Sequence, residues 1–282
     1  MIDNNSTFLM DYKLRQLRKT EFTIFNAQDG HIRFPKNLHN LNDNSTFPID
    51  YSLQKSRKMK LITLNIWGGH VRKELLKFTQ RHQDVDIFCL QEVYNNAPHK
   101  ISTDDNTVSL NIFSELNTLL PNHNGFFRPV VNNSYGIGIL IKKNIDVIDE
   151  GEFKIHDNPN YVGRGPTHSR ILQWLNYHVN NQIYTVVNVH GLWNGNGKTD
   201  TPERINQSHK IRQFIDSLDT PVILCGDFNL RLDTESIKIL ESQMINLIQK
   251  YNITSTRTSL YPKDEKYADY IFVSPKINIT GF

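Results

Sequence analysis

Hydrophobic and polar positions divide the chain near Met59. Before it, Asn, Asp, Ser and Thr dominate and no long periodicity develops. The pattern there predicts only a short helix over Asp11–Lys19 and a short strand over Glu21–Asn26. Residues 1–58 therefore read as a polar N-terminal extension, partly ordered at best, and residues 59–282 as the folded domain. From Met59 onward, apolar runs of strand length alternate with amphipathic stretches. Lys60–Asn65 is such a run, broken at Gly68–Gly69, and Asp86–Leu90 is a second. Between them, Val71–Gln80 places Val71, Leu75, Leu76 and Phe78 roughly on one helical side. Val108–Leu120 reads as a helix stopped by Pro121. Phe126–Val131 and Gly136–Lys142 form a hairpin about Asn132–Asn133–Ser134, and Ile171–Val179 and Ile183–Val189 form another about Asn180–Asn181. Thr201–Pro202–Glu203 combines an N-cap, a first-turn proline and a first-turn acid, so a helix starts there and runs to about Leu218. Pro221–Leu224 and Tyr270–Val273 read as buried strands and Thr234–Glu241 as a helix. Buried strands flanked by amphipathic helices predict an α/β fold. The arrangement that satisfies the pattern is a four-layer sandwich, two mixed β-sheets packed face to face between helices.

Composition narrows the setting. Of 282 residues 38 % are hydrophobic, enough for a sizeable core, and only two are cysteine, too few for a disulfide framework. Cys89 and Cys225 each sit inside an apolar run and read as packed free thiols. The mean hydropathy of −0.49 and the lack of any apolar run near a bilayer's width predict no stable membrane insertion. The first residues lack the apolar block of a signal peptide, so a cytoplasmic location is expected. Oligomeric state is left open by the pattern. The net charge of +3 is uneven: the first sixty residues carry +4 and the remainder −1. The body is thus not a basic nucleic-acid binder by composition.

Polar residues recur where the buried strands end, the usual meeting place of rigid scaffold and solvent. Asn65 closes the first strand and Glu92 the second. His190 closes another, Asp227 and Asn229 follow Val222–Gly226, and Asp269 opens Tyr270–Val273. Each has an ordinary reading: a turn at Asn65 or at Gly226–Asn229, an exposed acid at Glu92 or Asp269, a strand-end imidazole at His190. Together they make chemical sense. Carboxylates with amide oxygens, and no cysteine ligand, suit a hard cation such as Mg²⁺. A His and an Arg beside such a cation suit phosphate-ester hydrolysis. Trp193, on the Gly-rich loop after His190, suits stacking on a ring or packing as a loop anchor.

Five motifs, Leu64–Asn65–Ile66–Trp67, Leu90–Gln91–Glu92–Val93, Asn188–Val189–His190, Gly226–Asp227–Phe228–Asn229 and Ala268–Asp269–Tyr270–Ile271, run in one order. In that order the chain, from about Met59 to Phe282, resembles the endonuclease/exonuclease/phosphatase family, the deoxyribonuclease I-like metal-dependent phosphoesterases. The resemblance implies Glu92 as main ligand of a Mg²⁺ cofactor, Mn²⁺ being the alternative, with Asn65 nearby on metal or phosphate. It implies Asp227, helped by Asn229, as the group that orients and activates water. His190 falls where members carry a His or Tyr at the scissile phosphate or leaving group. Asp269 would orient a second histidine, Arg170 would contact phosphate, and Asn194 would reach it. The implied partner is a phosphate-ester substrate: a nucleic-acid or nucleotide phosphodiester first, a phospholipid or inositol phosphate second. The family's terminal Ser-Asp-His motif is expected beyond Phe282. The alternatives are a binding protein that retains the fold with impaired catalysis, or another segment in that role, for which Asp29–Gly30–His31 is the one local Asp/His pair.

Overall fold

The computed structural model describes residues 19–23, 57–98, 109–162, 165–257 and 264–282. Asp29, His31 and most of the helix expected over Asp11–Lys19 lie outside them. Strands β1 (Lys19–Thr23), β2 (Lys58–Asn65), β3 (Ile87–Tyr94), β4 (His123–Val131), β5 (Tyr135–Lys142) and β12 (Asn278–Gly281) make one sheet in the order β12-β1-β2-β3-β5-β4. Strands β6 (Asp146–His156), β7 (Arg170–Val179), β8 (Gln182–His190), β9 (Val222–Asp227), β10 (Ile245–Asn246) and β11 (Asp269–Val273) make the other, in the order β10-β11-β9-β8-β7-β6. Strand β1 falls inside the stretch read as extension and pairs antiparallel with β2 and β12.

Each sheet is antiparallel except for one central parallel pair, β2–β3 and β8–β9. Parallel neighbours need a long crossover. Helices α1 (Arg72–Arg81) and α3 (Pro202–Asp216) supply it in the two sheets. Helix α2 (Ile112–Leu119) follows β3, and α4 (Glu235–Glu241) and α5 (Leu247–Lys250) follow β9. Alternation along the strands builds the layers. Leu61, Ile87 and Cys89 point inward, where they meet Tyr177, Val186, Cys225 and Ile271 of the other sheet. Ile62, Phe88 and Leu90 point outward onto Leu75, Phe78 and Leu116 of α1 and α2. Val187, Val189, Leu224 and Phe272 point outward onto Ile211, Ile237 and Leu240 of α3 and α4. The result is the expected helix–sheet–sheet–helix sandwich. Among the described residues no helix is long and apolar enough to cross a membrane.

Local chemistry follows the sequence closely at turns and caps. Asn132–Asn133 and Asn180–Asn181 all have positive φ, the backbone of tight hairpin turns that asparagine tolerates. Thr201 caps α3 through Arg204 N, with Pro202 in the first turn. The helix expected over Val108–Leu120 is shorter, because Ser109 Oγ takes the Asn111 amide into a turn before α2 begins. Strand β6 was not expected. Its sequence carries Asp146, Asp149, Glu150, Glu152 and Lys154 without clean alternation, as suits a charged edge strand.

Candidate active site

The carboxyl ends of the two parallel pairs carry the site residues to one place. Register sets His190 beside Asp227 on β8 and β9, and Asp269 beside Asp227 on β11 and β9. Asn65 and Glu92 come from the other sheet. Glu92 is aimed by a bulge: Leu90 pairs with Gly138 and Val93 with Gly136, so Gln91 and Glu92 face one residue of β5. Its φ of +56° is the local strain that a bulge carries. Gln91 turns inward as Glu92 turns to the site. Gln91 Nε2 donates to Asn188 Oδ1 at 2.7 Å, and Asn188 Nδ2 donates to Leu90 O and Gly138 O.

Asn65 joins the sheets at the site itself. Its Nδ2 donates to Glu92 Oε1 at 2.8 Å and to Asp227 Oδ2 at 3.0 Å, while Oδ1 accepts from Trp67 N. Asp227 Oδ1 accepts from Asn229 N at 2.8 Å. Asn229 donates to Gly191 O and accepts from Lys198 Nζ at 2.8 Å, so its amide plane is fixed from both sides. His190 is 6 % exposed, with Nε2 3.8 Å from Glu92 Oε1. The sequence-derived set thus meets at Asn65, Glu92, His190, Asp227, Asn229 and Asp269. Arg170 lies under it, 2 % exposed, with Nη2 on Pro166 O and with Nε and Nη1 lacking a hydrogen-bond partner among the described residues. Asn194 is set apart: its side chain bonds Thr201 Oγ1 and Asn196 N on the neighbouring loop.

Burial and charge tune these groups. Burial would raise the Asp227 carboxyl, but Arg257, Lys198 and His190 outweigh it and hold the group well below the usual carboxylate range. Glu92 moves the other way, raised by burial and by Asp227, against Asn65, Arg170 and Arg257. Burial, with Arg170 beside it, holds His190 well below the ordinary imidazole value, so the ring is neutral near pH 7. His168, which with Tyr135, Arg170 and His190 lines a small pocket under the site, is lowered to about 4 by burial and Arg170.

Two basic residues were missed by the sequence reading. Lys198 follows the Gly-rich loop and lies 5.2 Å from the centre of the Trp193 ring. Arg257 precedes β11 by a dozen residues and has Nη2 3.3 Å from Asp227 Oδ2 and Nη1 3.8 Å from Asp269 Oδ2. A basic residue on the loop after His190 was the signal for Lys198. The Ser-Thr-Arg triplet was the faint one for Arg257.

A sequence model of the endonuclease/exonuclease/phosphatase family matches residues 62–282. The chain belongs to this family. Its members are phosphoesterase hydrolases. A family protein of Bacteroides vulgatus is 19 % identical with a TM-score of 0.56, covering 76 % of this chain and 86 % of that one. A Bacteroides thetaiotaomicron mannosyl-6-phosphatase is 17 % identical with a TM-score of 0.57, covering 77 % and 85 %. The human Nocturnin catalytic domain, solved with a bound sulfate anion, is 16 % identical with a TM-score of 0.56, covering 77 % and 82 %. At these identities the likeness is one of fold. Among proteins with curated descriptions, none matches the sequence.

Among the described residues no group of three or more His, Cys, Asp or Glu side chains surrounds a metal position. The oxygen set nevertheless fits Mg²⁺, which is commonly held by one or two carboxylates plus waters. Glu92 and Asp227 aim carboxylate oxygens at the same Asn65 amide nitrogen. That amide stands where two converging anions call for positive charge. To contribute its own oxygen Asn65 must turn its amide over and give up the bond to Trp67 N.

Proposed function

We propose that this chain is a Mg²⁺-dependent phosphoesterase that hydrolyses a phosphodiester of a nucleic acid or nucleotide. The observation that carries the reading is the convergence of Asn65 and Glu92 from one sheet with His190, Asp227 and Asn229 from the other. Glu92 and Asn65 would hold the cation, which supplies charge to offset the phosphate and to polarise the ester. Asp227, anionic and held by Asn229 N, accepts a hydrogen bond from water and lines it up with phosphorus. Because neighbouring cations depress it so far, its work is orientation more than proton removal. His190 is neutral and offers a hydrogen bond to the phosphoryl or leaving oxygen. Arg170 puts a positive field beneath the phosphate, and Asp269 stands by for the second histidine of the family pattern.

The preference for a base-bearing substrate is supported by Trp67. Its indole is 59 % exposed two residues after Asn65, with the His70 ring 4.3 Å away. An exposed indole at a site mouth suits stacking on a flat ring. The test is hydrolysis with and without Mg²⁺ of plasmid DNA, single-stranded RNA, a choline phospholipid, a hexose 6-phosphate and an aryl phosphate. Asp227→Ala is expected to remove turnover, by at least about 10²-fold, while the protein stays folded by circular dichroism. Full turnover in that variant sinks the mechanism. Turnover confined to the phospholipid or the sugar phosphate replaces the nucleotide reading.

A further inference from the structure

We propose that Lys198 is a positioning residue of this site: it fixes which way the Asn229 amide faces, leaving an amide N–H, and not the amide oxygen, for water or a phosphoryl oxygen. The inference deepens the phosphoesterase reading above, on which it rests, and gives the Gly-rich loop after His190 a task.

Lys198 comes from the loop between β8 and α3. Gly195 and Gly197 both have left-handed backbone, with φ of +83° and +63°, so the loop turns back within a few residues. The segment that follows is tied down along its length. Lys198 O accepts from Arg231 N at 2.8 Å, and Thr199 O accepts from Arg204 Nη1 at 2.7 Å. Asp200 caps α4 through Glu235 N at 2.7 Å and Ser236 N at 3.0 Å, and Thr201 caps α3. The Lys198 backbone is thus bound to the segment that carries Asn229 and, through its neighbours, to both helices. A donor that starts from a fixed backbone is preorganised.

The side chain has one task in hydrogen bonding. Nζ donates to Asn229 Oδ1 at 2.8 Å, and the residue is 3 % exposed. Among the described residues no carboxylate closes an ion pair with it. The Trp193 ring, 5.2 Å from Nζ, offsets part of the cost of burying the charge. That cost is high, and a plain loop tie could use a neutral donor instead. An ammonium differs from a hydroxyl or an amide in having no acceptor. It therefore tolerates one orientation of the Asn229 amide and rejects the other.

Gly191 O imposes the same orientation at the other end of the amide, taking one N–H of Nδ2 at 3.2 Å. Turned over, the amide would set its nitrogen against the ammonium and its oxygen against a carbonyl. In the orientation present, the second N–H of Nδ2 has no partner among the described residues. Asn229 N meanwhile holds Asp227 Oδ1 at 2.8 Å, so this residue is joined directly to the carboxylate that orients water.

The experiment compares wild type, Lys198→Met and Lys198→Arg, with Lys198→Met made in an Asn229→Ala background as well. The Asn229 side-chain amide resonances, assigned by their loss in Asn229→Ala, are followed by proton–nitrogen NMR. Turnover is followed as kcat and KM on the best substrate. The resonances are expected to move in Lys198→Met and to move less in Lys198→Arg. Removing an orienting partner costs about 10–100-fold, and that loss is expected in kcat of Lys198→Met, with KM changed far less and part of the rate restored by arginine. In the Asn229→Ala background the same change is expected to cost no more than about twofold, since a residue that acts through Asn229 has nothing left to act on. Where Lys198→Met does not fold, Lys198→Gln takes its place with the same expectations, because its amide accepts either orientation. Full additivity with Asn229→Ala overturns the proposal. A loss equal in the methionine and arginine variants that tracks a lowered melting temperature overturns it in favour of a loop tie. Resonances unmoved in Lys198→Met overturn it too, and turnover that needs Asp227 then leaves the hydrolase reading standing. If wild type turns over no substrate, the hydrolase reading falls, while resonances that move in Lys198→Met still support control of the Asn229 amide by Lys198.

Discussion

Single residues in this protein are tuned mainly by burial. His168 shows the consequence for stability. Its Nδ1–H donates to Ser169 O at 2.8 Å, and Tyr135 and Tyr161 pack their rings against it. Burial and Arg170 lower it to about 4, against about 6.5 in an unfolded chain. Below pH 6.5 the unfolded state therefore takes up the proton first. The contribution of His168 is fully present above that pH and is lost as pH falls toward 4, with a ceiling of about 3.4 kcal/mol for that shift. His190, His123 and His156 are lowered too and add in the same direction. Glu92, raised, opposes them in the lower part of that window. The clean test is a difference. Urea unfolding of wild type and His168→Gln at pH 7.5, 6 and 5 is expected to show a smaller loss with falling pH in the variant. Parallel profiles refute the assignment. Little of this was legible in the sequence. His168 sits in no motif, and its burial arises from residues far along the chain.

Elements explain why the motifs worked and where they stopped. Asn65, His190 and Asp227 were readable because each closes a strand, and a strand end is marked in the sequence by the fall from apolar to polar; Glu92 stood at the same kind of fall, but β3 runs on through it to Tyr94. The aim of Glu92 was not readable, because it depends on a bulge against β5 that only pairing creates. Arg257 was only faintly marked for a related reason: hydroxyl contacts to residues 266–269, not periodicity, bring it in. Gly226 is a second element-level device. In the parallel register it lies beside Val189, and a Cβ there would stand 1.9 Å from Val189 O at a φ of +141°. Only glycine lets β9 lie this close to β8 and still deliver Asp227. Gly226→Ala is expected to cost at least about 3 kcal/mol, from backbone strain plus the clash. Thermal unfolding reads it directly. A variant within a degree or two of wild type would show that the strands separate at little cost.

At the scale of the molecule, the site is a seam between two sheets, each with its own parallel pair. Neither sheet holds the whole set, so the geometry of the site depends on how the sheets sit against each other. An apolar layer between them is adhesive but not directional. Gln91 and Asn188 add direction. Both are fully buried, joined at 2.7 Å across the seam, and Asn188 also holds the carbonyls of Leu90 and Gly138 that flank the bulge. Both residues stood inside recognised motifs, yet nothing in a linear pattern says that they meet. Asn188→Ala leaves those buried groups short of partners and is expected to cost about 2–4 kcal/mol. It is also expected to lower kcat at least tenfold under conditions where the variant stays folded, since Glu92 and Asp227 lose their fixed spacing. Gln91→Leu with Asn188→Leu separates the two effects. Replacing both partners by apolar groups restores part of the stability. If the polar pair sets the register, kcat stays low in that folded double variant. If kcat returns with stability, the apolar layer alone aligns the sheets and the pair contributes only its hydrogen bonds.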